Sequence, residues 1–319
     1  MGERRSDRPA HPSAPDQAPG QGPPRCGFVA LLGAPNVGKS TFVNALVGTK
    51  VSIVSRKVQT TRMLVRGIAI EGNSQLVLID TPGLFAPKRR LDRAMVAAAW
   101  AGAHDADLVA LIVDAKRGVD DETTEILDRL SQLGAPKVAI LNKIDLLEKP
   151  PLLALAAALN AATRFEATFM VSARTGDGVG DVRAWLAARV PEGPWHYPAD
   201  QLSDAPLRQL AAEITREKLY DRLHQELPYE STVETDRWTE LKDGSVRIEQ
   251  TIFVARESQR KIVVGKRGQA LKAVGAEARR ELAELIEAPV HLFLFVKVRE
   301  DWGNDPERYR EMGLEFPQD

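Results

Sequence analysis

The sequence has very little cysteine and no long apolar run, and each absence narrows the classes of protein open to it. The single cysteine, Cys26, cannot form an internal disulfide, which fits a reducing compartment. No stretch of about 18 apolar residues is present, and the N-terminus lacks the apolar core of a signal peptide. These absences predict a protein of a reducing compartment without a membrane span.

An excess of charge of one sign is also missing. The 43 Lys and Arg residues nearly balance the 44 Asp and Glu residues, for a net charge of −1. Any surface for nucleic acid must therefore be a local basic patch. Histidine shows no metal-ligand spacing, so we interpret the five histidines as satisfied or solvated: His11, His104, His196, His224 and His291.

Length and local composition predict two domains. Residues 1–25 are rich in Pro, Gly, Ala, Ser and charge, which predicts a disordered tail. Residues 26–190 form the first predicted domain, and residues 207–319 form the second. Residues 191–206 contain four prolines and little periodicity, so we interpret them as a linker.

Residues 26–190 alternate apolar runs with helical patterns, which predicts an α/β fold with a doubly wound, mostly parallel sheet. The strand runs are Phe28–Leu32, Leu76–Ile79, Leu108–Val113, Val138–Leu141 and Thr168–Val171. The helix patterns are Lys39–Val47, Leu91–Trp100, Glu122–Leu133, Leu152–Asn160 and Val179–Arg189. A further strand, Met63–Ile70, precedes a turn too short for a helical crossover, so its pairing should be antiparallel.

The second domain has a different order of elements. We predict a helix (Leu207–Leu227), two strands joined by a hairpin (Thr232–Leu241 and Val246–Val254), a short helix, a glycine-flanked loop, a longer helix (Gln269–Ile286) and a strand (Val290–Val298). The stretch from Asp305 onward is expected to be helical and weakly anchored.

A phosphate-binding motif follows the first strand. Gly33 to Ser40 has the pattern G-x-x-x-x-G-K-S between a strand and a helix, the context that this motif requires. Its glycines let backbone N–H groups surround phosphates, Lys39 can neutralise phosphate oxygens, and the Ser40 hydroxyl can bind Mg²⁺. The nucleotide-binding residues predicted here are Gly33, Asn36, Val37, Gly38, Lys39, Ser40 and Thr41.

Two further motifs lie at later strand ends. Asp80-Thr-Pro-Gly83 places a carboxylate where it can hold Mg²⁺ through water and an amide that can bond a γ-phosphate. In Asn142-Lys143-Ile-Asp145, the aspartate can accept two hydrogen bonds from guanine, which adenine cannot supply. We expect Asn142 to tie the base loop to the phosphate loop, Lys143 to cover the base, and Ser172-Ala173 to offer a backbone N–H to it. The sequence therefore predicts binding of GTP over ATP.

A polar loop, Gly48–Arg62, separates the first helix from the second strand and has the position of a nucleotide-dependent switch. It contains Thr60 and Thr61, and we favour Thr61 as the ligand of Mg²⁺ and γ-phosphate. An ordinary loop hydroxyl is the alternative. The predicted catalytic residues are Lys39, Thr61, Gly83 and Asn36, and the predicted metal ligands are Ser40, Thr61 and, through water, Asp80.

The residue after Gly83 is Leu84, which cannot orient an attacking water as the glutamine of many small GTPases does. Intrinsic hydrolysis should therefore be slow, or charge must come from elsewhere. Asn36 could help to hold a monovalent cation such as K⁺ near the phosphates, where the cation would act as an arginine finger does.

A basic GxxG loop stands out in the second domain. From Arg256 to Arg280 there are eight Lys or Arg residues and two Glu. With the order of elements, this cluster favours a KH-type RNA-binding domain over a solvated helical hairpin. The predicted RNA-binding residues are Lys261, Gly265, Lys266, Arg267, Gly268 and Lys272.

Together these motifs resemble the Era family, bacterial GTPases with a C-terminal KH domain. The resemblance runs from about Gly27 to Gly313 and includes the stretches Ser55–Arg62, Glu226–Tyr229 and Glu287–Leu292 besides the motifs above. It implies a P-loop GTPase domain followed by an α+β type II KH domain.

The resemblance also implies partners. They are 16S ribosomal RNA near its 3′ end and the 30S subunit, whose assembly the family assists, with GTP or GDP and Mg²⁺ as ligands. It further implies a cytoplasmic protein with some peripheral association with the cell membrane. No obligate protein partner is evident from the sequence, and we expect a monomer.

Two other functional interpretations remain open. In the first, the chain is a passive RNA-binding scaffold in which GTP serves only folding. In the second, it is a membrane or cell-division GTPase whose basic patch meets lipid headgroups, although no amphipathic basic helix with bulky aromatics is evident.

Overall fold

The computed structural model describes residues 22–55, 61–62, 64–222, 231–300 and 306–317. The first domain contains, in chain order, β1 (Arg25–Leu32), α1 (Lys39–Val47), β2 (Val65–Glu71), β3 (Ser74–Asp80), α2 (Arg90–His104), β4 (Leu108–Asp114), α3 (Asp121–Leu130), β5 (Lys137–Asn142), α4 (Lys149–Ala162), β6 (Ala167–Val171) and α5 (Val179–Ala187). The second contains α6 (Leu207–Arg222), β7 (Ser231–Glu240), β8 (Val246–Val254), α7 (Glu257–Val264), α8 (Gln269–Ile286), β9 (Val290–Val298) and α9 (Pro306–Glu311).

The first domain is built on a six-stranded sheet in the order β2-β3-β1-β4-β5-β6. Every neighbouring pair is parallel except β2 and β3, which pair antiparallel from Val65 opposite Asp80 to Glu71 opposite Ser74. The predicted doubly wound α/β fold and its antiparallel hairpin are thus both present. The carboxyl ends of β1, β3, β5 and β6 meet at one edge of this sheet, where ligands bind in open α/β folds.

Most element boundaries agree with the sequence prediction, and the differences have local causes. Helix α4 begins at Lys149, earlier than predicted, because Pro150 and Pro151 occupy its first turn, where their missing N–H groups cost nothing. Helix α2 continues to His104 through an alanine-rich stretch that favours helix.

The proline-rich segment 191–206 lies against the first domain. The Gln75 side-chain oxygen accepts hydrogen bonds from the backbone N–H groups of His196 and Tyr197, at 2.9 and 3.0 Å. The Ile68 N–H donates to the Leu202 carbonyl at 2.9 Å. The segment that we predicted to be a linker therefore runs along the β2–β3 side of the sheet with specific hydrogen bonds.

The second domain has the predicted order helix-strand-strand-helix-loop-helix-strand, which is that of a type II KH domain. Its sheet has the order β7-β8-β9, with β7 and β8 antiparallel and β8 and β9 parallel. Helices α6 and α8 cover one face of the sheet, where Leu219, Ile252 and Val274 are buried in a common core. The stretch Glu226–Tyr229 lies outside the described residues.

The C-terminal segment is better anchored than its sequence indicated. The Tyr309 ring is 1% exposed and packs with Leu314 against Ala94 and Met95 of α2, in the first domain. Phe316 makes an edge contact with the Tyr309 ring. The prediction of a weakly anchored terminus was wrong, because its apolar partners belong to a helix more than 200 residues away along the chain.

Within the described part of the chain, no helix is both long and apolar enough to cross a membrane.

Replacing the buried tyrosine tests the anchoring of the C-terminal segment. Tyr309→Ala removes an aromatic ring whose loss from a core typically costs ~3–5 kcal/mol. We therefore expect faster amide hydrogen exchange in residues 306–317 and in α2. Arg310→Ala, at the exposed neighbouring position, is the matched control. Unchanged exchange in Tyr309→Ala would contradict the anchoring.

Candidate nucleotide and RNA sites

Two glycines allow the loop after β1 to fold around a phosphate. Gly33 has φ 153°, and a Cβ there would lie 2.3 Å from the Ile112 carbonyl oxygen. Gly38 has φ 100°, and a Cβ there would lie 2.3 Å from the Asn142 amide nitrogen. Any side chain at either position would be strained and would collide with fixed groups. The loop then enters α1, whose N-terminus favours an anion.

Lys39 is the cation of this loop. Its Nζ donates to the carbonyl oxygens of Gly33 and Ala34, both at 3.0 Å, and the side chain is buried. Burial lowers the pKa of Lys39 to about 8, although the nearby Asp80 carboxylate opposes the shift. An anionic phosphate at the loop would favour the charged form of this lysine.

The three predicted metal ligands meet at one point. The hydroxyl oxygens of Ser40 and Thr61 lie 3.0 Å apart, and the Thr61 hydroxyl lies 3.5 Å from Asp80 Oδ2. Ser52, which sequence analysis missed, donates its hydroxyl to the same carboxylate oxygen at 2.6 Å. Burial raises the pKa of Asp80, and hydrogen bonds from these hydroxyls partly offset that effect.

This oxygen cluster fits Mg²⁺. The other carboxylate oxygen of Asp80, Oδ1, is buried and has no hydrogen-bond partner among the described residues. A buried carboxylate oxygen of this kind is suited to a cation or to one of its bound waters. Ser40 and Thr61 would bind the ion directly, and Asp80 would hold it through water. Thr60, the alternative considered for Thr61, lies outside the described residues.

Gly83 and Leu84 lie next to the phosphate loop. A Cβ at Gly83 would lie 2.9 Å from the Pro35 Cα, so this close approach requires glycine. The Leu84 N–H donates to the Gly33 carbonyl at 3.0 Å, and its side chain is buried. A buried leucine leaves no polar group at this position to orient water.

Asn142 links the base loops to the phosphate loop. Its side-chain nitrogen donates to the Val37 carbonyl at 2.9 Å, and its side-chain oxygen accepts from the Ala173 N–H at 3.0 Å. Lys143 Nζ contacts the Asn36 carbonyl at 2.6 Å and Asp114 Oδ2 at 2.7 Å. Asp114, at the end of β4, was also missed, because no motif marks it.

The Asp145 carboxylate is held from two sides. The Ser172 hydroxyl donates to one oxygen at 2.6 Å, and the Arg174 guanidinium donates to the other at 2.5 Å. The hydrogen bond from Ser172 and the charge of Arg174 hold the pKa of Asp145 below its usual range. Asp145 is therefore ionised at neutral pH, as an acceptor of two guanine N–H groups must be.

A cavity of about 330 Å³ lies beside these groups. This volume falls within the range of small-molecule sites. Its lining residues are Gly38, Thr41, Val54, Asn142, Lys143, Asp145, Leu146, Ala173 and Arg174. The structure thus brings the predicted base-contacting residues together, and it adds Val54, Leu146 and Arg174, which the motifs did not include.

The GxxG loop lies between α7 and α8, and its conformation explains its glycines. Gly265 has φ 72°, and a Cβ there would lie 2.6 Å from the Ala270 Cβ. Gly268 has φ 76° and open space around it, while Arg267 adopts the left-handed conformation with φ 52°. All four predicted basic side chains are exposed: Lys261, Lys266, Arg267 and Lys272. The loop offers bare backbone flanked by cations, which suits a nucleic-acid backbone.

These two sites define a class of protein, a P-loop GTPase domain joined to a KH domain. Residues 28–143 match the family model of the 50S ribosome-binding GTPases, and residues 226–303 match that of the KH domain. The chain is 66% identical over 304 residues to GTPase Era of Bradyrhizobium sp. (strain ORS 278), covering 95% of this chain and 99% of that protein. It is 63% identical over 302 residues to GTPase Era of Rhizobium meliloti (strain 1021), covering 95% and 96%.

The chain therefore belongs to the Era GTPase family. Its structure is also similar to that of Era in complex with MgGDPNP and nucleotides 1506–1542 of 16S ribosomal RNA. That match has a TM-score of 0.86 and 36% identity, and it covers 91% of this chain and 99% of the other. A crystal structure of an Aquifex aeolicus Era variant bound to GDP and AlF4⁻ matches with the same values.

The lowered pKa of Lys39 has a measurable consequence for nucleotide binding. If phosphate restores the charge on Lys39, binding of Mg²⁺–GDP takes up protons. The number of protons taken up per nucleotide rises from about pH 7 to about pH 9, because the free lysine loses its proton over this range. Isothermal titration calorimetry in buffers of different ionisation enthalpy measures this uptake. Proton uptake that stays at zero up to about pH 9 would show that Lys39 is already fully charged in the free protein.

Proposed function

We propose that this chain is a GTP-hydrolysing switch that binds 16S ribosomal RNA near its 3′ end and assists assembly of the 30S subunit. The observation that carries the proposal is that one loop contacts both the phosphate site and the KH domain. Thr61 of the switch loop lies beside Ser40 and Asp80, and the next residue, Arg62, donates to the Ser231 carbonyl of the KH domain at 2.8 Å. A change at the phosphate site is thereby connected to the RNA-binding domain.

Each group has a role in the proposed GTP complex. Lys39 and the backbone of residues 33–38 bind the phosphates, and Asp145 selects guanine. Mg²⁺, when bound, would neutralise charge on the β- and γ-phosphates. Thr61 and the Gly83 N–H would respond to the γ-phosphate and so distinguish GTP from GDP.

The RNA partner follows from the relative solved with 16S ribosomal RNA together with the basic GxxG loop. A KH groove accommodates about four single-stranded nucleotides. We place the protein in the cytoplasm as a monomer. The family resemblance is the argument for a peripheral membrane association. The basic residues described here fit RNA as well as lipid, so they do not add to that argument.

RNA affinity measured in the two nucleotide states tests the proposal. We expect tighter binding of an oligonucleotide matching the 16S 3′ end with a non-hydrolysable GTP analogue than with GDP, by about 5- to 150-fold. Fluorescence anisotropy at fixed salt measures both affinities. Equal affinity in both states would favour the passive scaffold, and anionic vesicles that compete with RNA would favour the membrane GTPase.

Two glycine variants make this experiment specific. Gly268→Asp places a negative charge in the GxxG loop and should abolish most of the RNA affinity. Gly244→Asp, in the β7–β8 turn of the same domain, is the matched control, because Gly244 has a similar φ of 81° and likewise has no atom within 4 Å of a built Cβ. RNA binding that survives Gly268→Asp would remove the GxxG loop from the proposal.

We also propose that K⁺ supports hydrolysis by supplying the charge of an arginine finger, in a site where Leu84 cannot orient water. Asn36 is exposed in the phosphate loop with φ 63°, and its side chain would help to hold the ion, which would supply positive charge near the phosphates. We expect turnover at least about tenfold faster in K⁺ than in Na⁺. Asn36→Gly should lose this difference, since glycine keeps the backbone conformation without the side chain. Equal turnover in the two salts would rule the ion out.

A further inference from the structure

The switch loop contacts the KH domain on both sides of residues 56–60. Before these residues, Lys50 Nζ lies 2.6 Å from Glu217 Oε2 of α6 and also pairs with Glu281 of α8. The Val54 N–H donates to Glu217 Oε1 at 2.7 Å. After residues 56–60, the guanidinium of Arg62 lies over the ring of Tyr220 of α6. Helix α6 therefore contacts both flanks of the loop.

Arg62 is inserted between the domains. Its side chain is 3% exposed, Nη1 donates to the Ser231 carbonyl at the start of β7, and its guanidinium lies 5.8 Å from the centre of the Tyr220 ring. Arg216, fully buried beside it, is held by Glu213 and contacts the same ring. Burial of a guanidinium is costly unless specific groups compensate it, so few alternative positions of equal energy exist for Arg62.

The position of Arg62 constrains Thr61. Consecutive Cα atoms are about 3.8 Å apart, so Thr61 cannot move far while Arg62 stays in place. Thr61 is itself buried, with its hydroxyl 3.0 Å from that of Ser40. The KH domain thus contributes to holding a hydroxyl at the proposed Mg²⁺ site.

We propose that Arg62 is a positioning residue for GTP, and that its site between α6 and β7 holds Thr61 where Mg²⁺ and the γ-phosphate require it. The inference rests on the proposed role of Thr61. Ordering Thr61 before the nucleotide arrives raises the affinity for GTP, because apparent affinity falls with the fraction of molecules that are competent to bind. In its proposed role, Thr61 engages Mg²⁺ and the γ-phosphate in the GTP state and is released in the GDP state, so the affinity for GDP does not depend on this ordering.

The test measures the affinities of the full chain for a fluorescent non-hydrolysable GTP analogue and for GDP, both with Mg²⁺. Arg62→Ala should weaken analogue binding about tenfold, as expected if Thr61 is correctly placed about one-tenth of the time. GDP affinity should change by less than about twofold. Arg62→Lys, which keeps one donor for the Ser231 carbonyl, should recover part of the loss, and it replaces Arg62→Ala if that variant does not fold.

Arg66→Ala is the matched control. Arg66 lies four residues on, in β2, and pairs with Asp204 of segment 191–206 at 2.9 Å. Its replacement removes a nearby guanidinium contact, an ion pair, without changing Arg62 or Thr61. The ratio of analogue affinity to GDP affinity should stay at the wild-type value.

Thr61→Ala separates failure of this inference from failure of the proposed site. If Thr61→Ala leaves the ratio of the two affinities unchanged, Thr61 is not the ligand and the assignment of the site itself is wrong. If Thr61→Ala lowers the ratio but Arg62→Ala and Arg62→Lys do not, only the role of Arg62 is overturned. Equal loss of GTP-analogue and GDP affinity in Arg62→Ala would also overturn it, because that pattern marks a purely structural residue.

Discussion

The arrangement around the nucleotide depends on the burial of one carboxylate, that of Asp80. A charged group without solvent needs hydrogen bonds and opposite charge nearby. Here they come from the hydroxyls of Ser52 and Thr61 and from the charge of Lys39. Because Ser52 and Thr61 belong to the switch loop, these hydrogen bonds hold that loop at the end of β3. Two of these groups, Thr61 and Lys39, are also groups that we propose to engage the γ-phosphate or Mg²⁺.

A second constraint makes the base site and the phosphate site one unit. The Asn142 side chain hydrogen-bonds both the phosphate loop, at Val37, and the loop after β6, at Ala173. Lys143 donates to the Asn36 carbonyl of the phosphate loop. Since these bonds are made within the protein, the loops are in place before guanine arrives, and binding costs less ordering entropy. Attachment of the switch loop to the KH domain extends the same principle across the interface between the domains.

Much of the fold was predictable because its signals are local. Strand runs, the P-loop pattern and the glycine-flanked KH loop each occupy a few consecutive residues. Ser52, Asp114 and the anchored Tyr309 were not predictable, since each acts through a partner that is distant in sequence. A single serine in a polar loop, or an aspartate at a strand end, looks the same whether or not a buried carboxylate or lysine lies opposite it.

The sequence by itself determined the two domains, the order of their elements and the residues that form the nucleotide motifs, because spacing along a chain dictates what a strand end or a helix start can present. Only the tertiary structure decided how the domains meet. Arg62 and Ser231 are 169 residues apart, and Lys50 and Glu281 are 231 apart. Such pairs form through the docking of two folded surfaces, whose complementarity no local pattern records.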